Sequence, residues 1–454
     1  MTQYQSQPEL EAPIGSIDDL VGLFASGEKP REAYRIGTEH EKVGLRAATL
    51  APVPFEGPDG IEALLERLAG RPGFERVRED GHTIALKQDG ASLTLEPGGQ
   101  LELSGAPLRT IHETCKEFHD HLELLKADTE ALGLVWLGLG IHPFHGVEEL
   151  PRMPKKRYDI MRSYLPTRGD LALEMMHMTA TVQVNLDFSD EADMARKLRV
   201  GLALTPVVSS IFANSSLVRG KNSGYVSRRL HIWNHTDPDR TGGLPFAYRD
   251  DFGYRDYIEW ALDAPVFFLM RGERLIPLGR KTFRSFLAEG HEGERATLAD
   301  FDLHLTTLFP DVRLKRFIEL RGADAVPPGL TCSLPALWKG LLYDPQALAD
   351  AAAWIADWTP AEVAQGLASV ARRGLQGELR GRPMLEWARD VTELASAGLA
   401  RIDDRNASGE DERRFLEPVR EQIALGKSPG QVVIERWEGE WQRSGERLIQ
   451  YARY

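Results

Sequence analysis

Strict two-residue alternation of polar and apolar side chains, repeated in four well-separated stretches, is the pattern that most constrains this chain. In Thr179–Phe188 every odd position is polar and every even position apolar. Period two places one set on each face of a β-strand. The same pattern runs through Arg35–Lys42, where Glu39 and Glu41 share a face, and through Gln100–Ser104, where Gln100 and Glu102 oppose Leu101 and Leu103. It returns in Phe317–Asp324, with Glu319 and Arg321 opposite Ile318 and Leu320. Ile84–Lys87 and Ser92–Glu96 are short β-prone runs joined through Gln88-Asp89-Gly90, a turn sequence whose glycine tolerates positive φ, so they are expected to pair antiparallel. Pro97-Gly98-Gly99 then bends the chain into the Glu102 strand.

A strand with one wet face alternates in the same way, and solvation alone would explain any single case. Solvated faces usually mix Lys, Thr, Arg and Glu, whereas these carry Glu39, Glu41, Glu96, Glu102 and Glu319 with almost no lysine. Gathered carboxylates repel one another unless a cation lies between them, and Mg²⁺ or Mn²⁺ prefers oxygen ligands. The expectation is a metal-dependent site on a mainly antiparallel sheet within an α+β fold.

The remaining chain supplies helices. Ser16-Ile17-Asp18-Asp19 has a helix-start pattern leading to about Gly27, and Gly57–Ala69 follows with Ile61, Leu64, Leu65 and Leu68 at helical spacing. Leu108–Leu132 carries one apolar stripe through Cys115 and Phe118. His112, His119 and His121 on this helix read as solvated, with metal binding as the alternative. A helix from Ser189 to about Ala203 and a second through Phe212 are expected. Asn214–Arg229, rich in Gly, Ser and Asn and carrying Arg219, Lys221, Arg228 and Arg229, reads as a flap over an anionic ligand. From Leu334 helices follow almost without interruption, a buttress over residues 334–454. Residues 1–15 read as a disordered lead to a single catalytic domain over 16–454.

The net charge of −13 over 454 residues, with no basic block, argues against a nucleic-acid surface. Apolar runs are too short or too polar to span a bilayer. No Walker A or G-x-G-x-x-G pattern occurs, so neither a P-loop nor a Rossmann site is supported. The two cysteines, Cys115 and Cys332, are far apart and in a reducing cytosol would usually be buried thiols.

GTEHEK at 37–42, LEPGGQLELSGAP at 95–107, MPKKRYDIM at 153–161, TVQVNLDF at 181–188, HIWNHTDPDRTG at 231–242 and LKRFIELRGAD at 314–324 resemble glutamate–cysteine ligases of the plant and proteobacterial type. The resemblance runs from about residue 16 to the C-terminus. It implies a glutamine synthetase-like sheet forming a carboxylate-lined concave active site covered by helices. It also implies ATP-dependent joining of the L-glutamate γ-carboxylate to the L-cysteine amine through γ-glutamyl phosphate, releasing ADP and phosphate. Two or more Mg²⁺ ions, replaceable by Mn²⁺, are implied, held among Glu39, Glu41, Glu96, Glu102 and Glu319. Arg321 is the expected catalytic guanidinium. Thr179, Thr181, Gln183, Asn185, Arg157, Trp233 and Arg240 are expected at the substrates. In this family cysteines in the contexts TIHETC and LTCSLPALW form a redox-sensitive disulfide, so Cys115 and Cys332 are either a bonded pair or two packing thiols.

The N-terminus, MTQYQSQPELEAP, has no secretory signal and no plastid transit peptide of the kind plant relatives need, so a bacterial cytoplasm is expected. The implied partners are small molecules alone, L-glutamate, L-cysteine and ATP, with no nucleic acid or membrane, in a monomer or weak homodimer. Two rivals remain open: another ATP-dependent carboxylate–amine ligase with a different amine acceptor, and a non-enzymatic metal or ligand-binding protein on the same fold.

Overall fold

The computed structural model describes residues 10–454. The centre is a nine-stranded sheet built from β1 (Ile36–Arg46), β2 (Glu75–Glu79), β3 (His82–Gln88), β4 (Ala91–Leu95), β5 (Leu101–Ser104), β6 (Leu134–Leu137), β7 (Thr181–Leu186), β8 (Val312–Leu314) and β9 (Ile318–Asp324). Their order is β8-β9-β7-β1-β5-β4-β3-β2, with β6 paired to the far end of β1, and every pairing is antiparallel. The 11 residues of β1 serve three partners in succession: β7 at its start, β5 at its middle and β6 at its end.

Register sets the site. Glu41 stands opposite Glu102 and Glu39 opposite both Ser104 and Gln183, while Glu319 stands opposite Asn185 and Arg313. The four alternating segments therefore meet side by side on one face. The β3–β4 hairpin turns at Asp89 and Gly90, both at positive φ, as its sequence requires. At Gly98 an added Cβ would lie 2.0 Å from the carbonyl oxygen of His177, so only glycine lets the bend before β5 approach that segment.

On the opposite face Val182, Val184, Leu186, Ile318 and Leu320 are buried against helices of the larger hydrophobic core. One of these, Glu191–Ile211, is a single 21-residue helix, where two were expected. Pro206 lies inside it, but nearly all of its last turns are buried, and that packing outweighs the local loss of one N–H. Helices Ser333–Leu342 and Met384–Ile402 pack on each other and toward the sheet. The caps expected at Thr359 and Ser428 are both formed. The C-terminal helices end in Tyr454, whose N–H donates to Trp136 at 3.0 Å and whose hydroxyl donates to the Val326 carbonyl at 2.8 Å.

The disordered lead expected over 1–15 falls, for residues 1–9, outside the described residues. From Leu10 the chain is placed: Leu10 is buried, Ile14 N–H donates to the Ala296 carbonyl, and Leu298 N–H donates to Ala12.

Where β1 passes under the helix Ile111–Ala131, the side opposite the carboxylates carries Thr38, His40 and Lys42, all buried. The Lys42 ammonium donates to the His40 carbonyl at 3.2 Å, and burial pushes it down to about 7 against the pull of Glu102 and Glu41. An unfolded lysine titrates near about 10.4. Native stability is thus greatest above that pH and declines as pH falls to about 7, below which the loss stays constant. Urea denaturation across this range should show a decline of about 5 kcal/mol from this group, and Lys42→Met should flatten it. An unchanged slope in the variant would assign the decline elsewhere.

Candidate active site

A cleft opens over the polar face of the sheet. Its lining has two characters. Glu39, Glu41 and Glu96 come from β1 and the end of β4; Arg229, Arg313, Lys315 and Arg321 come from the other side, with Gln100, Thr179, Thr181 and Gln183 between and Tyr158, Trp233 and Phe309 as aromatic walls.

The carboxylate side is held by amides. Glu39 accepts from Gln183 Nε2 and from Asn185 Nδ2, each at 3.2 Å, and Glu41 accepts from the backbone N–H of Thr181 at 3.0 Å. Glu102 lies fully buried behind Glu41, accepting from Thr94 Oγ1 at 2.9 Å and Ser104 Oγ at 2.7 Å. Burial, then the charges of Glu319 and Glu102, raise Glu39; burial, then Glu96 and Glu102, hold Glu41 well above the usual carboxylate range. Among the described residues, Lys315 pulls on Glu39 and Arg229 on Glu41 without offsetting burial, and divalent cations fit this wall by donor chemistry and by electrostatics. Among the described residues, no three of these carboxylates bring oxygens within 4.8 Å of one another. The wall therefore suits ions held by one or two protein carboxylates each, with phosphate oxygens completing the shell, as Mg²⁺ prefers.

The cationic side is organised by Glu319. Its fully buried carboxylate is gripped by Arg313 through a bidentate pair, Nη2 to Oε1 at 2.6 Å and Nε to Oε2 at 3.1 Å, by Lys315 at 3.3 Å and by Arg321. Burial alone would raise Glu319, but Arg313, Lys315 and Arg321 outweigh it and hold the group well below its ordinary value. Its oxygens, expected among the metal ligands, face three cations in this structure. Glu319 anchors the cationic wall.

Arg321 donates from Nη1 to Gln183 Oε1 at 2.7 Å, and its guanidinium lies 5.6 Å from the Trp233 ring and 5.8 Å from the Phe309 ring. The ladder between β9 and β7 shifts register between Leu320 and Ala323, an irregularity that lets a strand re-aim a side chain into a site. At the end of β9, Asp324 accepts from Asn214 N–H and Ser215 Oγ at 2.7 Å and from Ser227 Oγ at 3.0 Å, with Arg229 at 3.9 Å.

That anchoring corrects the flap reading. The 214–229 segment is tied to the sheet, and only Arg229 of its four basic residues lines the cleft. Arg219 pairs with Glu148 and Glu149, Arg228 pairs with Glu174, and Lys221 is exposed. Arg240 is also corrected: it is fully buried and not in the cleft lining, pairs with Asp237 at 2.7 Å and donates to the carbonyls of Thr307 and Pro265. It joins three loop segments.

Of the other expected residues, Thr179, Thr181, Gln183 and Trp233 line the cleft. The Thr181 hydroxyl is turned away, donating to the Ala323 carbonyl at 2.6 Å. Asn185 is set back and orients Glu39. Arg157 is not in the lining; it stands behind Tyr158, to whose hydroxyl it donates at 3.1 Å. Arg313, Lys315, Gln100, Tyr158 and Phe309 are among the lining residues beyond the expected set, and Asp311, pushed up to about 6 by burial against the pull of Arg229 and Arg321, adjoins it. Cys115 and Cys332 form a disulfide with Cα atoms 5.6 Å apart.

A family model described as glutamate–cysteine ligase family 2 matches residues 35–450. The chain belongs to that family. The chloroplastic glutamate–cysteine ligases of Brassica juncea and Arabidopsis thaliana are each 46% identical to it over 456 residues, covering 99% of this chain and 87% and 86% of theirs. A solved glutamate–cysteine ligase from Francisella tularensis, in complex with AMP, shares the fold with a TM-score of 0.56 at 12% identity, over 92% of this chain and 87% of its own. Family members are ATP-dependent ligases that catalyse the first step of glutathione synthesis. These relatives also overturn the expected bacterial cytoplasm, since the plant proteins are chloroplastic.

Removing Arg313 leaves Glu319 buried with its best partner gone. Arg313→Ala should destabilise the fold by about 3–5 kcal/mol in urea denaturation, and Arg313→Lys, which keeps charge but loses the fork, by less. A change within about 0.5 kcal/mol for the alanine variant would show that the cluster contributes little to stability.

Proposed function

We propose that this cleft joins the γ-carboxylate of L-glutamate to the amine of L-cysteine at the expense of ATP, through γ-glutamyl phosphate, giving γ-glutamylcysteine, ADP and phosphate. The supporting observation is the juxtaposition of Glu39, Glu41 and Glu96 with Arg229, Arg313, Lys315 and Arg321 across one cleft. A ligand with both metal-bound phosphates and free anionic oxygens suits such a pair of walls.

Glu39, Glu41 and Glu96, with Glu102 behind them, are the residues that would hold two or more Mg²⁺ ions, or Mn²⁺ in their place; when bound, such ions neutralise the triphosphate and the transferring phosphoryl group. Arg321 faces the developing charge of the phosphoryl transfer from a position fixed by Glu319, Gln183 and Trp233, so no reorganisation is needed as charge moves. Arg229, fixed by Asp324, offers a second planar cation for a carboxylate or phosphate. Gln183 offers a neutral amide to orient an amino-acid substrate, Gln100 and Thr179, whose polar groups bond to the backbone of Gly98, Thr179 and Met175, shape the floor between the walls, and Trp233 and Phe309 keep water from the acyl phosphate. The reading needs no nucleic acid or membrane partner, and it takes the enzyme as a monomer or weak homodimer.

Incubation with L-glutamate, L-cysteine, ATP and Mg²⁺ should yield ADP and γ-glutamylcysteine, and no dipeptide without glutamate. Much faster ADP release with another amine than with cysteine would replace the acceptor while keeping the ligase chemistry. Glu41→Gln should lower turnover by about two orders of magnitude, partly restored by raised Mg²⁺. Arg321→Lys should lower kcat strongly with a smaller change in the KM for glutamate; an effect confined to that KM would make Arg321 a substrate anchor.

A further inference from the structure

Away from the cleft, the Sγ atoms of Cys115 and Cys332 and one ring nitrogen of His119 all lie within 4.8 Å of one another. Among the described residues this is the one group of three His, Cys, Asp or Glu side chains gathered so closely. Cys115 and His119 are four residues apart on the helix Ile111–Ala131 and so share a face; Cys332 comes from the turn that opens helix Ser333–Leu342. His119 Nδ1 is 3.6 Å from Cys115 Sγ and 2.7 Å from the Cys115 carbonyl oxygen. Cys332 is buried while His119 is exposed, so the cluster has both a sheltered sulfur and an open side.

We propose that, once the disulfide is reduced, Cys115, Cys332 and His119 bind one Zn²⁺ ion, with water as its fourth ligand. Two thiolates and an imidazole form a ligand set of the softness zinc selects. Zn–S distances of about 2.3 Å and Zn–N distances of about 2.0–2.1 Å in a tetrahedron place ligand atoms roughly 3.4–3.8 Å apart. The His119–Cys115 pair already has that separation, and breaking the S–S bond lets the sulfurs relax to it. Nδ1 is the nitrogen that also meets the Cys115 carbonyl, so it takes the ion by giving up that contact, and Nε2 then carries the ring N–H. The donors come from two elements 217 residues apart in the chain, so the ion would replace the covalent tie between helix and turn by a coordinate one.

The chemistry balances with a dithiol as reductant. Its two sulfurs become a disulfide, and its two electrons and two protons convert the Cys115–Cys332 bond into two thiols. Zinc then displaces one proton from each thiol to solvent and is itself neither oxidised nor reduced. Disulfide and metal exclude one another, so bound zinc would slow reoxidation.

The test uses full-length protein reduced with a phosphine, which adds no competing thiol, and Co²⁺ as an optical probe. Reduced protein should take up one equivalent with a sulfur-to-cobalt charge-transfer band that zinc abolishes; the oxidised protein should give no such band. Oxygen-ligated Co²⁺ in the carboxylate cleft gives no sulfur band, so the two sites are distinguishable. His119→Ala, a change at an exposed position that spares the fold, should weaken Co²⁺ binding at least tenfold, and Cys115→Ser should abolish the band. The proposal is overturned if reduced protein with two titratable thiols shows no band at one equivalent, or if His119→Ala binds Co²⁺ as tightly as the parent.

Discussion

The buried carboxylate of Glu319, shared among Arg313, Lys315 and Arg321, is the interaction on which the site depends. Three cations in one wall would repel one another and would be expensive to bury separately. A central anion neutralises part of that charge, lends Arg313 a bidentate partner and leaves net positive charge facing the cleft. Because Glu319 sits on β9 and Arg313 on β8, directly opposite in the ladder, the geometry of the wall is a property of the sheet and not of mobile loops.

The opposing wall has the reverse imbalance. Glu39 and Glu41 are raised by burial and by neighbouring carboxylates, and among the described residues amide donors from β7 hold them in place. An anion-rich wall and a cation-rich wall, separated by neutral amides on β7, form a field directed across the cleft. Such a field is preorganised for a substrate that carries cations at one end and transfers negative charge toward the other. Helices on the apolar side of the sheet keep that arrangement rigid: β9 packs on Glu191–Ile211 and β7 on Ser333–Leu342, and Asp324 ties the segment bearing Arg229 to the end of β9.

The strands were legible because period two survives in any strand with one buried face, and the shared face of Glu39, Glu41, Gln183, Glu319 and Arg321 follows from it. Partners across the ladder were not, since register depends on tertiary pairing. Val312-Arg313-Leu314-Lys315 alternates as well, and that signal would have placed Arg313 and Lys315 beside Glu319. Arg229 lies on a helix of 6 residues, too short to show a period. Arg240 was misread because a basic residue in a polar loop carries no mark of whether it faces solvent, ligand or, as here, the carbonyls of Thr307 and Pro265. Helix continuity through Pro206 was hidden for a related reason: the packing that stabilises it comes from residues distant in the chain.

Crystals grown with Mn²⁺, L-glutamate and a non-hydrolysable ATP analogue would locate the metal by its anomalous scattering. Mn²⁺ should lie within coordination distance of carboxylates among Glu39, Glu41 and Glu96, with the terminal phosphate turned toward Arg321. Metal bound elsewhere, or a nucleotide whose terminal phosphate faces away from the Glu319 cluster, would contradict that placement.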